Sequence, residues 1–208
     1  HQCSLIYCHS YNHIINKFTS KDNFGRIGVT FEFDGTKNCI CKDNIIHGYD
    51  RAIHAEFVGG SVLIKDNICT GTPIAFVGWH NYNQPITVEG NHFTNKGVPI
   101  DYIPHLGQGT TGFISMLTNT PETPSNKTTI IRLNTFVLVE DVPGVAEFVT
   151  RKVTGEEYHQ NIFIDNTRKK RLLFYNAVES PTADANNNDF VFLKNEVSSM
   201  WVYGRLMK

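Results

Sequence analysis

The sequence predicts an all-β chain, and within that class a right-handed parallel β-helix of about seven rungs. Three observations carry the prediction. The phrase CKDNIIHG (41–48) returns nearly intact as IKDNICTG (64–71), 23 residues later. An asparagine in an apolar-x-apolar-x-x-Asn-x-apolar frame then recurs down the chain. Between successive asparagines lies a second short β-like run, and helical periodicity is nearly absent.

The asparagine frames, in order, are HIINKF with Asn16, ICKDNII with Asn44, LIKDNIC with Asn67, ITVEGNHF with Asn91, IIRLNTF with Asn134, IFIDNTR with Asn166 and VFLKNEV with Asn195. Their separations are 28, 23, 24, 43, 32 and 29 residues. The intervening runs are IGVTFEF (27–33), RAIHAEF (51–57), TPIAFVGW (72–79), VPIDYI (98–103), GVAEFV (144–149), LLFYNAV (172–178) and WVYGRL (201–206). These runs are β-branched and aromatic, and Gly, Asn, Asp and Pro bound them, as strands require. Each unit therefore reads as strand, bend, strand, turn. An asparagine at the same bend of every rung has a physical role. Its amide can bond the next one ~4.8 Å away, forming a ladder. Asparagine also tolerates the left-handed backbone that tight bends demand.

These N-I-I and N-x-F phrases, spread over about residues 10–206, make the chain resemble the pectin-lyase-like β-helices. That resemblance implies a glycan-active or virion-associated protein, since phage tailspikes, capsule depolymerases, polysaccharide lyases and hydrolases share the fold. It also implies trimeric assembly, as in tailspikes. It carries over no catalytic residue, because no lyase or hydrolase signature is matched position by position.

The 43-residue gap between Asn91 and Asn134 points to an inserted loop at 104–129, rich in Gly, Thr, Pro and Asn. Within it, Asn126-Lys127-Thr128 is a glycosylation sequon, meaningful only on a eukaryotic secretory route. A smaller polar loop is expected at 181–189. The rung pattern resumes after each, so the chain reads as one domain, 1–208. It begins at His1 and is read as a mature product or a piece of a larger protein, extracellular or virion-associated. So short a stack exposes strand edges unless they are covered. A homotrimer, neighbouring domains, the first dozen residues or the WVYGRLMK tail are the candidates.

Composition narrows the function. Hydrophobic residues are 40% and aromatics 12%, enough for a sizeable core. A net charge of −1 argues against a nucleic-acid partner, which needs a basic surface. The lone basic run, Thr167-Arg168-Lys169-Lys170-Arg171, reads as a solvated turn. No apolar stretch is long enough for a membrane span. The five cysteines, Cys3, Cys8, Cys39, Cys41 and Cys69, are odd in number and lack a CxxC pair. They read as buried thiols. No cofactor or metal is implied: HExxH, phosphate-loop, dinucleotide and G-x-S-x-G signatures are all absent from the sequence.

Aligning the runs by two-residue alternation gives the candidate site. In 29–33 the bulky apolar residues point inward, so Thr30 and Glu32 point out. The same parity turns out His54 and Glu56, Ala75 and Val77, and Asp101 and Ile103. Stacking then makes Glu32 and Glu56 neighbours at about 5 Å between backbones, with His54 beside them and Asp101 two rungs further along. Two such carboxylates should split their pKa values, as a general acid beside a general base requires. A short carboxyl separation suits a retaining glycosidase, and Glu56 with Asp101 suits the longer inverting one. Trp79, His80 and Tyr82, in the turn GWHNYNQ (78–84), offer flat apolar rings with Asn81, Asn83 and Gln84 as polar neighbours, a surface suited to sugars. A further polar turn, His47, Tyr49, Asp50 and Arg51, offers Arg51 to an acidic sugar. The function expected is binding and cleavage of a cell-surface polysaccharide. A non-enzymatic structural or receptor-binding β-helix is the alternative.

Overall fold

The computed structural model describes residues 2–6, 27–32, 37–56, 61–79, 86–99, 101–102, 111–117, 129–142, 145–151, 156–167, 172–176, 189–192, 200–202 and 205–207. Among these there is no helix, and three parallel six-stranded sheets run the length of a β-solenoid. A rung visits the first, second and third sheet in turn. The rungs with all three strands are Lys37–Lys42, Ile45–His47 and Arg51–Glu56; Val62–Lys65, Ile68–Thr70 and Ile74–Trp79; Ile86–Glu89, His92–Thr94 and Thr111–Leu117; Thr129–Arg132, Thr135–Leu138 and Val145–Arg151; and Glu156–His159, Ile162–Asp165 and Leu172–Asn176. Gln2–Ile6 and Ile27–Glu32 add a strand to the first and third sheets ahead of these, and Asp189–Phe192 adds one to the second sheet after them. From the first of these five full rungs to the last the coil makes about four turns, fewer than the seven rungs expected.

The expected ladder exists, and it explains why the chain repeats itself. Asn44 Nδ2 donates to Asn67 Oδ1 at 2.9 Å, Asn67 to Asn91 at 2.8 Å, Asn91 to Asn134 at 2.9 Å and Asn134 to Asn161 at 3.0 Å. The same Oδ1 atoms also accept the backbone N–H of the preceding asparagine, at 2.9–3.0 Å. The second Nδ2 hydrogen goes to a backbone carbonyl: Asn67 to Cys41, Asn91 to Ile64, Asn134 to Val88 and Asn161 to Ile131. These amides are buried, and from Asn67 to Asn161 each Oδ1 accepts from the rung before, the condition under which buried polar groups stabilise a fold.

Two details differ from the sequence reading. The fifth member is Asn161, not Asn166, which lies beyond the strand Ile162–Asp165 and donates its backbone N–H to Leu138. The governing frame is apolar-x-x-Asn-x-apolar, with the asparagine immediately before the second-sheet strand. It reads Cys41, Asn44, Ile46 in the first full rung and Tyr158, Asn161, Phe163 in the last. Asn16 and Asn195 lie outside the described residues. The left-handed residue is the one before each asparagine: Asp43, Asp66, Gly90, Leu133 and Gln160 all have φ between 53° and 69°. The asparagine supplies hydrogen bonds, and its predecessor supplies the corner.

Side chains inside the coil stack in columns. Phe93 and Phe136 lie 5.2 Å apart and 4° from parallel, and Phe136 and Phe163 lie 5.1 Å apart. Phe113 meets Phe136 edge-on. Cys39, Cys41 and Cys69 are buried free thiols, as expected. Burial pushes the Cys69 thiol well up, with a smaller push from Cys41. Outside the first sheet, Lys65 and Arg132 both donate to Glu89, at 2.7 Å each, across three successive rungs. The hydrogen bond from Lys65, then that from Arg132, holds the Glu89 carboxyl below its usual range.

The segment 104–129 is not wholly loop. Thr111–Leu117 within it is the third-sheet strand of its rung, pairing with Ile74–Trp79 and Val145–Arg151. Of the expected strand 98–103, the described residues 98–99 and 101–102 are in no strand, and the Tyr102 N–H donates to the Pro99 carbonyl at 3.0 Å as in a turn. Gly97 at φ 90° redirects the chain just before it, and Pro99 has no N–H to give a sheet. At the C-terminal end, Met200–Val202 and Arg205–Met207 pair antiparallel beside Leu172–Asn176, the last strand of the third sheet, rather than forming another rung.

Removing one ladder amide should cost far more than removing an asparagine outside it. In Asn91→Ala the Asn67 N–H, one Asn67 Nδ2 hydrogen, the Ile64 carbonyl and Asn134 Oδ1 lose a partner in a dry interior. Chemical denaturation should show a loss of about 3 kcal/mol or more, against under about 1 kcal/mol for Asn166→Ala. Equal losses would remove the ladder from its central place.

Candidate functional site

The third sheet carries the candidate residues. Its register pairs Thr30 with His54, His54 with Val77 and Val77 with Ser115. One position C-terminal of Ala55, it pairs Glu32 with Glu56 and Glu56 with Trp79. The expected stacking of Glu32 on Glu56 is therefore present at the backbone, on adjacent rungs. Trp79, assigned from sequence to sugar binding, stands third in the same row. The side chains of Glu32 and Trp79 are outside the described residues, as are His80 and Tyr82 altogether.

The column beside that row is exposed at its first member, Thr30, and covered from the next rung on: His54 is 2% exposed, and Val77 and Ser115 are fully buried. Alternation places them opposite the core residues Ile53, Phe76 and Ile114, so a second layer covers the outside of the sheet. In the insertion after Thr94, Val98 is buried in the core cluster and Tyr102 packs against that cluster. Tyr102 Oη donates to Asp50 Oδ1 at 2.5 Å, so a residue from the third full rung reaches back to the corner of the first.

From that corner a chain of polar contacts leads to Glu56. Asp50 Oδ2 lies 3.5 Å from Arg51 Nε, Arg51 Nη1 lies 3.1 Å from His54 Nδ1, and His54 Nε2 lies 3.4 Å from Glu56 Oε2. Asp50 is 1% exposed and Arg51 7%. Arg51, expected to offer its charge to an acidic sugar, is engaged within the protein. Asp101 lies at an exposed turn and not in the Glu32–Glu56–Trp79 row, because it and the described residues 98–99 and 102 are in no strand of the third sheet. His47, from the same polar turn as Arg51, is exposed, with Nδ1 2.7 Å from Thr70 Oγ1. Tyr49 is buried, which raises its pKa.

Burial, and secondarily the Arg51 guanidinium, lowers the His54 pKa from 6.5 to about 3. The Glu56 carboxylate pulls the other way, but it meets the ring at 3.4 Å, whereas the guanidinium faces a ring nitrogen at 3.1 Å. The imidazole is therefore neutral at physiological pH.

Sequence reasoning missed Asp50 and Tyr102 as parts of this network. The Asp50-Arg51 pair was visible, but its partner is 52 residues away across a non-repeating insertion. Among the described residues no three His, Cys, Asp or Glu side chains gather as a metal site, and no helix is long and apolar enough to cross a membrane.

No family model matches the chain, no curated protein is similar to it, and no solved structure matches it. The parallel solenoid thus rests on the chain's own strand pairing.

His54 gives a pH signature. Below its ordinary pKa the unfolded imidazole takes up a proton that the folded one refuses. Stability from this group is whole above about pH 6.5 and falls toward about pH 3. The fall should be up to about 1.4 kcal/mol per pH unit. Urea unfolding across that window should show a steeper decline for the native chain than for His54→Gln, whose carbonyl can still accept from Arg51. Identical slopes would mean that His54 is protonated in the folded state.

Proposed function

We propose that the chain binds and cleaves a cell-surface polysaccharide, as an extracellular or virion-associated solenoid of the pectin-lyase-like, tailspike or depolymerase kind. The observation that carries this reading is the row Glu32–Glu56–Trp79 on three consecutive rungs. Equivalent positions on adjacent rungs lie ~4.8 Å apart at the backbone. Carboxylates borne at that backbone spacing are of the order of the ~5–5.5 Å separation that a retaining glycosidase uses, in which one group is acid and the other nucleophile. A row running along the solenoid axis suits an extended polymer, and a tryptophan and two glutamates are residue types that offer a sugar an apolar face and polar partners. Asp101 has no place in this row, so the proposal rests on Glu32 and Glu56. A homotrimer, or neighbouring domains of a larger chain, would cover the open ends of the sheets.

A second reading has its own observation. On the second sheet, Ile45, Ile68 and Ile162 are exposed, and they share one outward column with His92 and Thr135. A column that is partly apolar and meets a charged residue only at Asp189, its last member, suits a structural or receptor-binding β-helix of a virion or adhesin.

Purified bacterial capsular and surface polysaccharides, incubated with the protein and sized by chromatography, test both. Under the first reading at least one polymer is shortened. Glu56→Gln then loses turnover by about 10²-fold or more while still binding that polymer. Undiminished turnover in Glu56→Gln would overturn the acid/base assignment. A protein that cuts and binds no glycan, yet assembles or adheres to cells, would establish the second reading. Unsaturated product ends would mark a lyase in place of a hydrolase.

A further inference from the structure

We infer that Arg51 is a positioning residue, which fixes the His54 imidazole as the tautomer with its hydrogen on Nε2, the nitrogen nearer Glu56. The catalytic meaning of this inference rests on the glycan reading above; the placement of the hydrogen does not.

The argument uses what each group can donate. A guanidinium has only donors and stays charged throughout the accessible pH range. Arg51 Nη1 lies 3.1 Å from His54 Nδ1. That contact is a hydrogen bond only if Nδ1 presents its lone pair. The single ring hydrogen of the neutral imidazole is then on Nε2, the atom 3.4 Å from Glu56 Oε2. Protonating Nδ1 would set its hydrogen against the guanidinium, and burial opposes the extra charge as well.

Arg51 is itself held. Its Nε lies 3.5 Å from Asp50 Oδ2, and Asp50 Oδ1 accepts from Tyr102 Oη. In the strand register Arg51 occupies the column of Ile27 and Ile74, where an apolar residue is the neighbouring choice on both sides. A long cation in that column, 7% exposed, needs partners, and the structure supplies Asp50 and His54. Orienting a histidine through one nitrogen so that the other serves a neighbour is a recurring use of such partners.

The consequence concerns the surroundings of Glu56: the ring nitrogen 3.4 Å from its Oε2 is the one that carries the hydrogen. Arg51 touches no substrate and works through His54.

Long-range ¹H–¹⁵N correlation spectra of the intact chain at neutral pH test this directly, with the His54 ring assigned through its own Cβ. The expected result is a neutral ring with the hydrogen on Nε2. In Arg51→Met that preference is lost, and in Arg51→Lys, whose ammonium also donates, it is restored. A native ring carrying its hydrogen on Nδ1, or both hydrogens, overturns the inference, as does an unchanged tautomer in Arg51→Met. Should Arg51→Met not fold, the native spectrum and Arg51→Lys decide. On any polysaccharide the native chain cleaves, Arg51→Lys should keep a pH–rate profile that Arg51→Met shifts; identical profiles overturn the positioning role. If nothing is cleaved but the tautomer is as assigned, the glycan reading fails and the orientation of His54 by Arg51 stands.

Discussion

The amide ladder from Asn44 to Asn161 is the constraint from which the rest of the molecule follows. A side-chain amide has two hydrogens to give and an oxygen that can accept twice, and here one rung's oxygen takes both the side-chain and backbone N–H of the rung before. Such a joint tolerates no change of register, because shifting a strand by one residue would strand several buried polar groups at once. Everything on the neighbouring strands inherits that alignment: the parallel phenylalanines on one side, the apolar columns of the first and third sheets on the others. The left-handed corner before each asparagine aims the amide inward. Asp43, Asp66 and Gly90 occupy it comfortably, since Asp and Gly visit that region more readily than most residues. Leu133 occupies the same conformation with an apolar branched side chain that is 52% exposed. The ladder imposes the corner even where the local residue is a poor choice for it.

The same alignment makes the candidate site a row. Glu32, Glu56 and Trp79 are far apart in sequence and come together because three rungs coil in phase. What the ladder does not determine is the contact made by the one stretch where the period lengthens to 43 residues, which engages Asp50 through Tyr102. A regular solenoid aligns the Glu32–Glu56–Trp79 row, and the irregular insertion adds a tie between rungs that the period does not contain.

How much of this was legible in the sequence follows from the same division. Period and alternation report features that every rung repeats. They correctly gave the all-β parallel architecture, the stacking of Asn44, Asn67, Asn91 and Asn134, the buried cysteines, and the pairing of Glu32 with Glu56. They failed where the chain departs from repetition. Asn166 looked like a ladder member because IFIDNTR imitates the frame. The true fifth member, Asn161, follows Tyr158 by three residues and precedes Phe163 by two, a tighter criterion that all five members meet. Asp101 was misplaced because VPIDYI has the apolar alternation of a strand, while Gly97 and Pro99 speak against one. The burial of His54 could not be read at all: alternation tells which face a residue is on, and not what lies over that face.

The exchange of side-chain amide hydrogens tests the ladder most directly. Transferred to deuterated water, the Nδ2 hydrogens of Asn67, Asn91 and Asn134 should persist as long as the slowest backbone amides of the core strands, because all are released only when the solenoid opens. Exchange of those three as fast as that of a solvated asparagine side chain would contradict the account, and would mean that the rungs are held in register by something else.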